Sequence, residues 1–111
     1  MSTRDLRASA RIAVSQRGML KSGGPAWFPC LVHDVSDHGF LLMCTEALPV
    51  GQVLEFKCDL FPGKSLNCKI EIRHVSDAGM GTRISEIDSN GTGLLRLYLQ
   101  DQYSITLNKT G

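Results

Sequence analysis

Two short runs in this chain carry more chemistry than their surroundings require. Asp34-Val35-Ser36-Asp37-His38-Gly39 is polar and turn-forming, yet it lies tightly between two apolar stretches. A structural turn needs a glycine and one or two polar residues. This one adds a carboxylate at Asp34 and a hydroxyl at Ser36, two positions apart, so an extended backbone aims both at one side. The second run is Arg7-Ala8-Ser9-Ala10-Arg11, with two guanidiniums four residues apart. Arginine is the side chain of choice for forked bonding to phosphates. Carboxylate, hydroxyl and guanidinium together make a recognition site for a polar, anionic molecule.

Charge layout supports that reading. Residues 1 to 21 hold five basic side chains (Arg4, Arg7, Arg11, Arg17, Lys21) against Asp5, a balance of +4, while the remainder holds seven basic against ten acidic, a balance of −3. The start of the chain therefore meets an anion. A net charge of +1 is too small for a broad nucleic-acid face, so a small phosphate-bearing ligand is expected rather than DNA.

Catalytic chemistry finds no support. The chain has no Gly-x-Ser-x-Gly, no complete glycine loop ending in Gly-Lys-Ser/Thr, and no His-Glu-x-x-His. Asp34 and Asp37 lack an acid or base partner, and His33, His38 and His74 fall at no useful spacing for a metal. The cysteines, Cys30, Cys44, Cys58 and Cys68, include no Cys-x-x-Cys pair. Each sits within a predicted strand, so they are expected to be free thiols packed in the core, consistent with a reducing compartment. A non-enzyme without metal or cofactor follows.

These residues need elements to position them. At 111 residues, 42% hydrophobic and 21% charged, the chain is expected to be one soluble domain. It has neither a membrane-spanning apolar run nor a secretory leader, so no membrane insertion and a cytoplasmic location are expected. Residues 1 to 10 read as a flexible arm. Arg11 to Leu20 alternates as a first strand and ends at the loop Lys21-Ser22-Gly23-Gly24-Pro25. Trp27 to His33 and Phe40 to Thr45 flank the Asp34 loop as second and third strands. Val53 to Leu60 and Leu66 to Arg73 alternate with period two across a short connection at Phe61-Pro62-Gly63-Lys64, which demands antiparallel pairing. A turn at Ser76 to Gly79 leads to a sixth strand, Met80 to Ile87. Asp88-Ser89-Asn90 offers a cap for a helix near residues 90–101, whose stripe is Leu94, Leu95, Tyr98 and Leu99. Ser104 to Leu107 reads as a short extended piece, and the last four residues as loose. The fold class is mainly β: a six-stranded antiparallel β-barrel with a C-terminal helix and a flexible N-terminal arm.

With Arg7-x-x-x-Arg11 on the arm, Asp34-x-Ser36-x-x-Gly39 in an early hairpin, and Gly79-Met80-Gly81 opening the sixth strand, the chain resembles the PilZ domain family, bacterial receptors for cyclic di-GMP. The resemblance implies binding of that dinucleotide by Arg7, Arg11, Asp34, Ser36 and Gly39, with an effector protein as downstream partner. The ligand's chemistry suits these residues. Guanidinium forks onto phosphate or guanine O6 and N7 and stacks on purines. An ionised carboxylate matches the N1–H and N2 donors of guanine. Ser36 can meet a phosphate or a base edge, and Gly39 lets the backbone come close. Arg4 and His74 are additional candidate contacts, the first to phosphate, the second by stacking from the end of the fifth strand. Leu6 offers no cation for a second ligand molecule, so one per chain is expected.

Competing readings stand beside these. Arg7 and Arg11 can be solvated arm residues, and Asp34 and Ser36 can brace their own hairpin. Trp27 is read as packing and His74 equally as an ordinary strand-end histidine, while Leu97 faces outward from the helix stripe. At the level of function, the rivals are a barrel that binds proteins without nucleotide and, less favoured, a small RNA-binding barrel, which the acidic balance after residue 21 and the few aromatics oppose.

Overall fold

The computed structural model describes residues 11–110. Six antiparallel strands, β1 (Ile12–Lys21), β2 (Phe28–Val35), β3 (Phe40–Met43), β4 (Val53–Phe61), β5 (Lys64–Ser76) and β6 (Gly79–Glu86), precede one helix, α1 (Ser89–Thr110). They close into a barrel in the order β1-β2-β3-β6-β5-β4. The expected barrel and helix are thus observed, and closure leaves no sheet edge open. The barrel consists of two three-stranded meanders, β1-β2-β3 and β4-β5-β6, joined at two seams. One seam pairs β1 with β4 over Gly18 to Lys21. The other pairs β3 with β6 at only two positions, Leu41 with Gly81 and Leu42 with Met80.

Alternation decides which side chains fill the interior. Leu54, Phe56, Cys58 and Leu60 of β4, with Leu66, Ile70 and Ile72 of β5, are buried, and they meet Leu20, Val32, Val35, Phe40 and Leu42 from the other meander. The rings of Phe40 and Phe56 pack at 4.6 Å between centroids, across the two meanders. Dense apolar filling leaves the barrel a solid core rather than a container.

Helix α1 starts where expected. The Asp88 carboxylate accepts from the Gly91 amide at 2.7 Å, satisfying one of the helix's orphan donors. Leu95 and Tyr98 are buried, with Leu94 and Leu99 half-buried against the barrel, and Tyr98 meets Phe61 edge-on at 5.8 Å. Burial pushes the Tyr98 phenol up, and nearby Cys58 and Asp101 push the same way. Leu97 is exposed.

Three expectations are corrected. The helix does not stop near Asp101: residues 104–107, expected to be extended, and 108–110, expected to be loose, continue α1 to Thr110. The alternation of Ile105 and Leu107 resembles a strand, but an existing helix adds one hydrogen bond per residue without needing a partner strand. Cys44 lies one residue beyond β3 rather than inside a strand, its thiol donating to the Glu46 carbonyl at 3.4 Å. Strand β2 runs two residues further than expected, so Asp34 belongs to the strand and not to the loop. All four cysteines are free thiols.

Candidate functional site

Asp34 is placed by β2 and its two neighbours. Irregularities on both sides, between Ala13 and Gln16 of β1 and between Val32 and Asp34 of β2, turn this end of the strand. Val35 and Phe40 point into the core, so Asp34 and Leu41 stand on the outer wall. Asp34 pairs with Ala13 on one side and Leu41 on the other; Leu41 pairs with Gly81, and Gly81 with His74. Cross-strand partners share a face. Ala13, Asp34, Leu41, Gly81 and His74 therefore form one outward-facing row across five strands.

Arg11 ends the segment before β1 and meets this row at Asp34. Its Nη1 donates to Asp34 Oδ1 at 2.9 Å, with the guanidinium side half exposed and the carboxylate side about one-fifth exposed. One residue from each sequence run is thus in direct contact. Among the described residues, the pair leaves Asp34 Oδ2 and most of the guanidinium's five donors without a further partner. Arg4 and Arg7, with the arm expected over residues 1–10, lie outside the described residues.

Ser36 is placed differently from its neighbour. It is only 4% exposed, and its hydroxyl is committed to the loop. That oxygen accepts from the amides of His38 and Gly39, both at 3.2 Å, and donates to the Gly39 carbonyl at 3.3 Å. The Ser36 amide donates to the same carbonyl at 2.9 Å. The hydroxyl that the sequence offers to a ligand here shapes the connection between β2 and β3.

Gly39 is required by packing. A Cβ at this position would stand 1.9 Å from the Thr82 carbonyl oxygen of β6. The loop can therefore lie against β6, where the Ile84 amide donates to the His38 carbonyl at 2.7 Å. Thr82 completes the join: its hydroxyl donates to the Phe40 carbonyl at 2.9 Å and accepts from the Phe40 amide at 3.3 Å. Sequence reading passed over Thr82, although a hydroxyl alternating between Met80 and Ile84 on the inward face was the available signal. It also passed over Leu41, which only the cross-strand register places beside Asp34.

His74 sits at the far end of the row, exposed, with its imidazole over the backbone of Gly81. A Cβ on Gly81 would lie 2.0 Å from His74 Cε1. The bare glycine lets the His74 ring lie close against the wall. At about 4.8 Å between strands, Asp34 and His74 are about 14 Å apart along the sheet, the scale of a dinucleotide. Among the described residues, no three acidic, histidine or cysteine side chains gather as a metal site, and no helix is long and apolar enough to cross a membrane.

Solved structures share this architecture. The Bacillus subtilis inhibitor of motility, MotI/DgrA, superposes with a TM-score of 0.69 at 14% identity, over 85% of this chain and 50% of that one. The PilZ domain of CeSA from a cellulose-synthesizing bacterium gives 0.65 at 14% identity, over 83% and 97% of the two chains. The Borreliella burgdorferi PlzA protein, in complex with c-di-GMP, gives 0.58 at 20% identity, over 88% and 37%. This chain thus spans half of the MotI/DgrA chain and less of PlzA, and at these identities the likeness is one of fold. No curated protein matches the sequence. The model of the PilZ domain matches residues 5–101, from the arginine-bearing start through the helix stripe, and this chain belongs to that family.

Proposed function

We propose that this protein is a receptor for cyclic di-GMP, which lies on the outer wall of the barrel along the row that starts at Arg11 and Asp34. The observation that carries the proposal is the 2.9 Å contact between those two residues, one from each motif, with donors and an acceptor to spare. Asp34 Oδ2 accepts from the N1–H and N2 edge of one guanine, while Arg11, held in place by Oδ1, turns its remaining donors to a phosphate or to O6 and N7. Ser36 and Gly39 act by shape: they set the loop so that Asp34 is presented on a rigid edge. The His74 imidazole, which lies over Gly81, offers its exposed face for stacking on the ligand's ring.

Arg7, four residues before Arg11, supplies a second cation for the phosphates, and Arg4 a further one. Binding draws the segment that bears them onto the barrel. Its ordering costs roughly 1 to 2 kcal/mol per residue, which the charge-assisted bonds, about 1.5 to 3 kcal/mol each, must offset. A rearranged arm changes the surface offered to an effector protein, which is how the signal passes on. One ligand per chain, a cytoplasmic setting and the absence of catalysis complete the reading.

Calorimetry with cyclic di-GMP tests it. Wild type should bind with a stoichiometry of one, and Arg11→Ala should lose one to two orders of magnitude in affinity. No heat at micromolar wild-type protein would sink the proposal and favour a barrel that binds protein partners without nucleotide.

A further inference from the structure

On the side of the β2–β3 loop away from Asp34, a cleft of about 340 Å³ separates the loop tip from helix α1. Asp37 and His38 form one wall, Thr92, Leu95 and Arg96 of α1 form the other, and Arg83, Ile84 and Ile87 lie between them. The apolar base comes from the half-buried Ile84 and Ile87 and the buried Leu95. Arg83 and Arg96 are exposed on the rim, and among the described residues neither makes an ion pair. Asp37 pairs with His38 at 3.4 Å, and Glu71, the cross-strand neighbour of Arg83, pairs with Arg73 at 3.7 Å. The Thr92 hydroxyl donates to the Asp88 carbonyl. The lining is thus cationic by one charge with His38 neutral, and by two with it protonated.

We infer that this cleft docks an acidic segment of a partner protein, in which carboxylates flank an apolar side chain. Two uncommitted guanidiniums select for carboxylates, since each can take one in a forked pair. The apolar base between them selects for a peptide over a nucleic-acid backbone, which has no aliphatic group to fill it. The acidic balance of the chain after residue 21 also disfavours nucleic acid. The cleft is small and its charges are solvated, so docking is transient and sensitive to salt. Its position gives it a second property. His38, in the wall, holds β6 through its carbonyl, and it lies in the loop that follows Asp34. The partner therefore reads the loop's far side, and where the proposed ligand, cyclic di-GMP, alters the loop, docking and ligand binding are coupled.

The test uses a short synthetic peptide in which glutamates flank a leucine-phenylalanine pair, alongside its glutamine counterpart and a single-stranded polyuridylate. Titration into the isotopically labelled protein should shift the amides of Ile84 and Leu95 and the Nε–H signals of Arg83 and Arg96. Arg96→Glu should weaken the acidic peptide about tenfold, and Arg83→Glu should do the same, while Arg96→Glu leaves cyclic di-GMP affinity within twofold. Binding of the glutamine peptide as tightly as the acidic one, shifts confined to other surfaces, or tighter binding of polyuridylate at the same residues would each overturn the inference. Calorimetry with cyclic di-GMP is a separate arm, so a failed peptide titration leaves the ligand proposal standing and a failed ligand titration leaves the cleft standing.

Discussion

Asp34, Ser36 and Gly39 belong to one short motif, yet they act through three different kinds of physics. Asp34 is a partly open carboxylate held by Arg11. Because each member of that pair orients the other, Arg11→Ala and Asp34→Ala should each weaken cyclic di-GMP binding strongly, with the double variant little worse than either single one, a non-additivity that calorimetry on the four proteins measures directly. The pair itself is solvated on the arginine side and contributes at most about 1 kcal/mol to stability, so urea unfolding of Arg11→Ala should differ little from wild type. Gly39→Ala behaves in the opposite way. With a Cβ driven to 1.9 Å from a backbone oxygen, the loop must lift off β6, at a cost of at least about 1 to 3 kcal/mol. Its thermal midpoint should fall markedly, and ligand affinity should fall with it. The motif was legible in the sequence, but this division of labour was not, because a serine hydroxyl and a glycine suit a ligand and a tight turn equally well.

At the level of elements, what was legible followed from local pattern. The strict alternation of β4 and β5 and the two-residue connection at Pro62 and Gly63 identify that hairpin without ambiguity. The seams between β3 and β6 and between β1 and β4 join residues far apart in the chain, and no local pattern encodes them. The row that ends in His74 was hidden for the same reason, since it exists only through four registers at once. The far end of α1 was missed because Ile105 and Leu107 alternate as in a strand and Tyr103 and Thr106 are modest helix formers. One side chain tests the most consequential join. Thr82→Val keeps the shape but removes both bonds to Phe40, leaving a buried amide and carbonyl short of a partner. The expected loss is about 1 to 3 kcal/mol in chemical unfolding, together with weaker ligand binding as the loop loosens.

For the molecule as a whole, the cysteines set an alkaline limit. Burial pushes the thiols of Cys30, Cys58 and Cys68 up to about 12, helped by Cys44 and Cys58 around Cys30, by Asp59 beside Cys58, and by Cys58 near Cys68. A thiol in the unfolded chain ionises near 9, so from about pH 9 to 12 the folded state binds more protons than the unfolded state. Stability is therefore complete below pH 9 and falls as pH climbs toward 12, which a series of urea melts across that range should register. Under native conditions near neutral pH, a maleimide should reach the half-buried Cys44 and Cys68 before the buried Cys30 and Cys58, and mass spectrometry of the labelled peptides reads the order.

The β3–β6 seam is where the barrel is held by the fewest rungs, two, against eight between β4 and β5. The proposed ligand crosses that seam on the outside, with Asp34 and Leu41 on one bank and Gly81 and His74 on the other. In mechanical terms, it is a staple over a zip. Without it, the two meanders should part most easily there, and amide hydrogens of Leu41, Leu42 and Met80 should exchange with deuterium sooner than those of β4 and β5. With it, those same amides should slow the most, so that the messenger's presence is written into the barrel as stiffness at a single line.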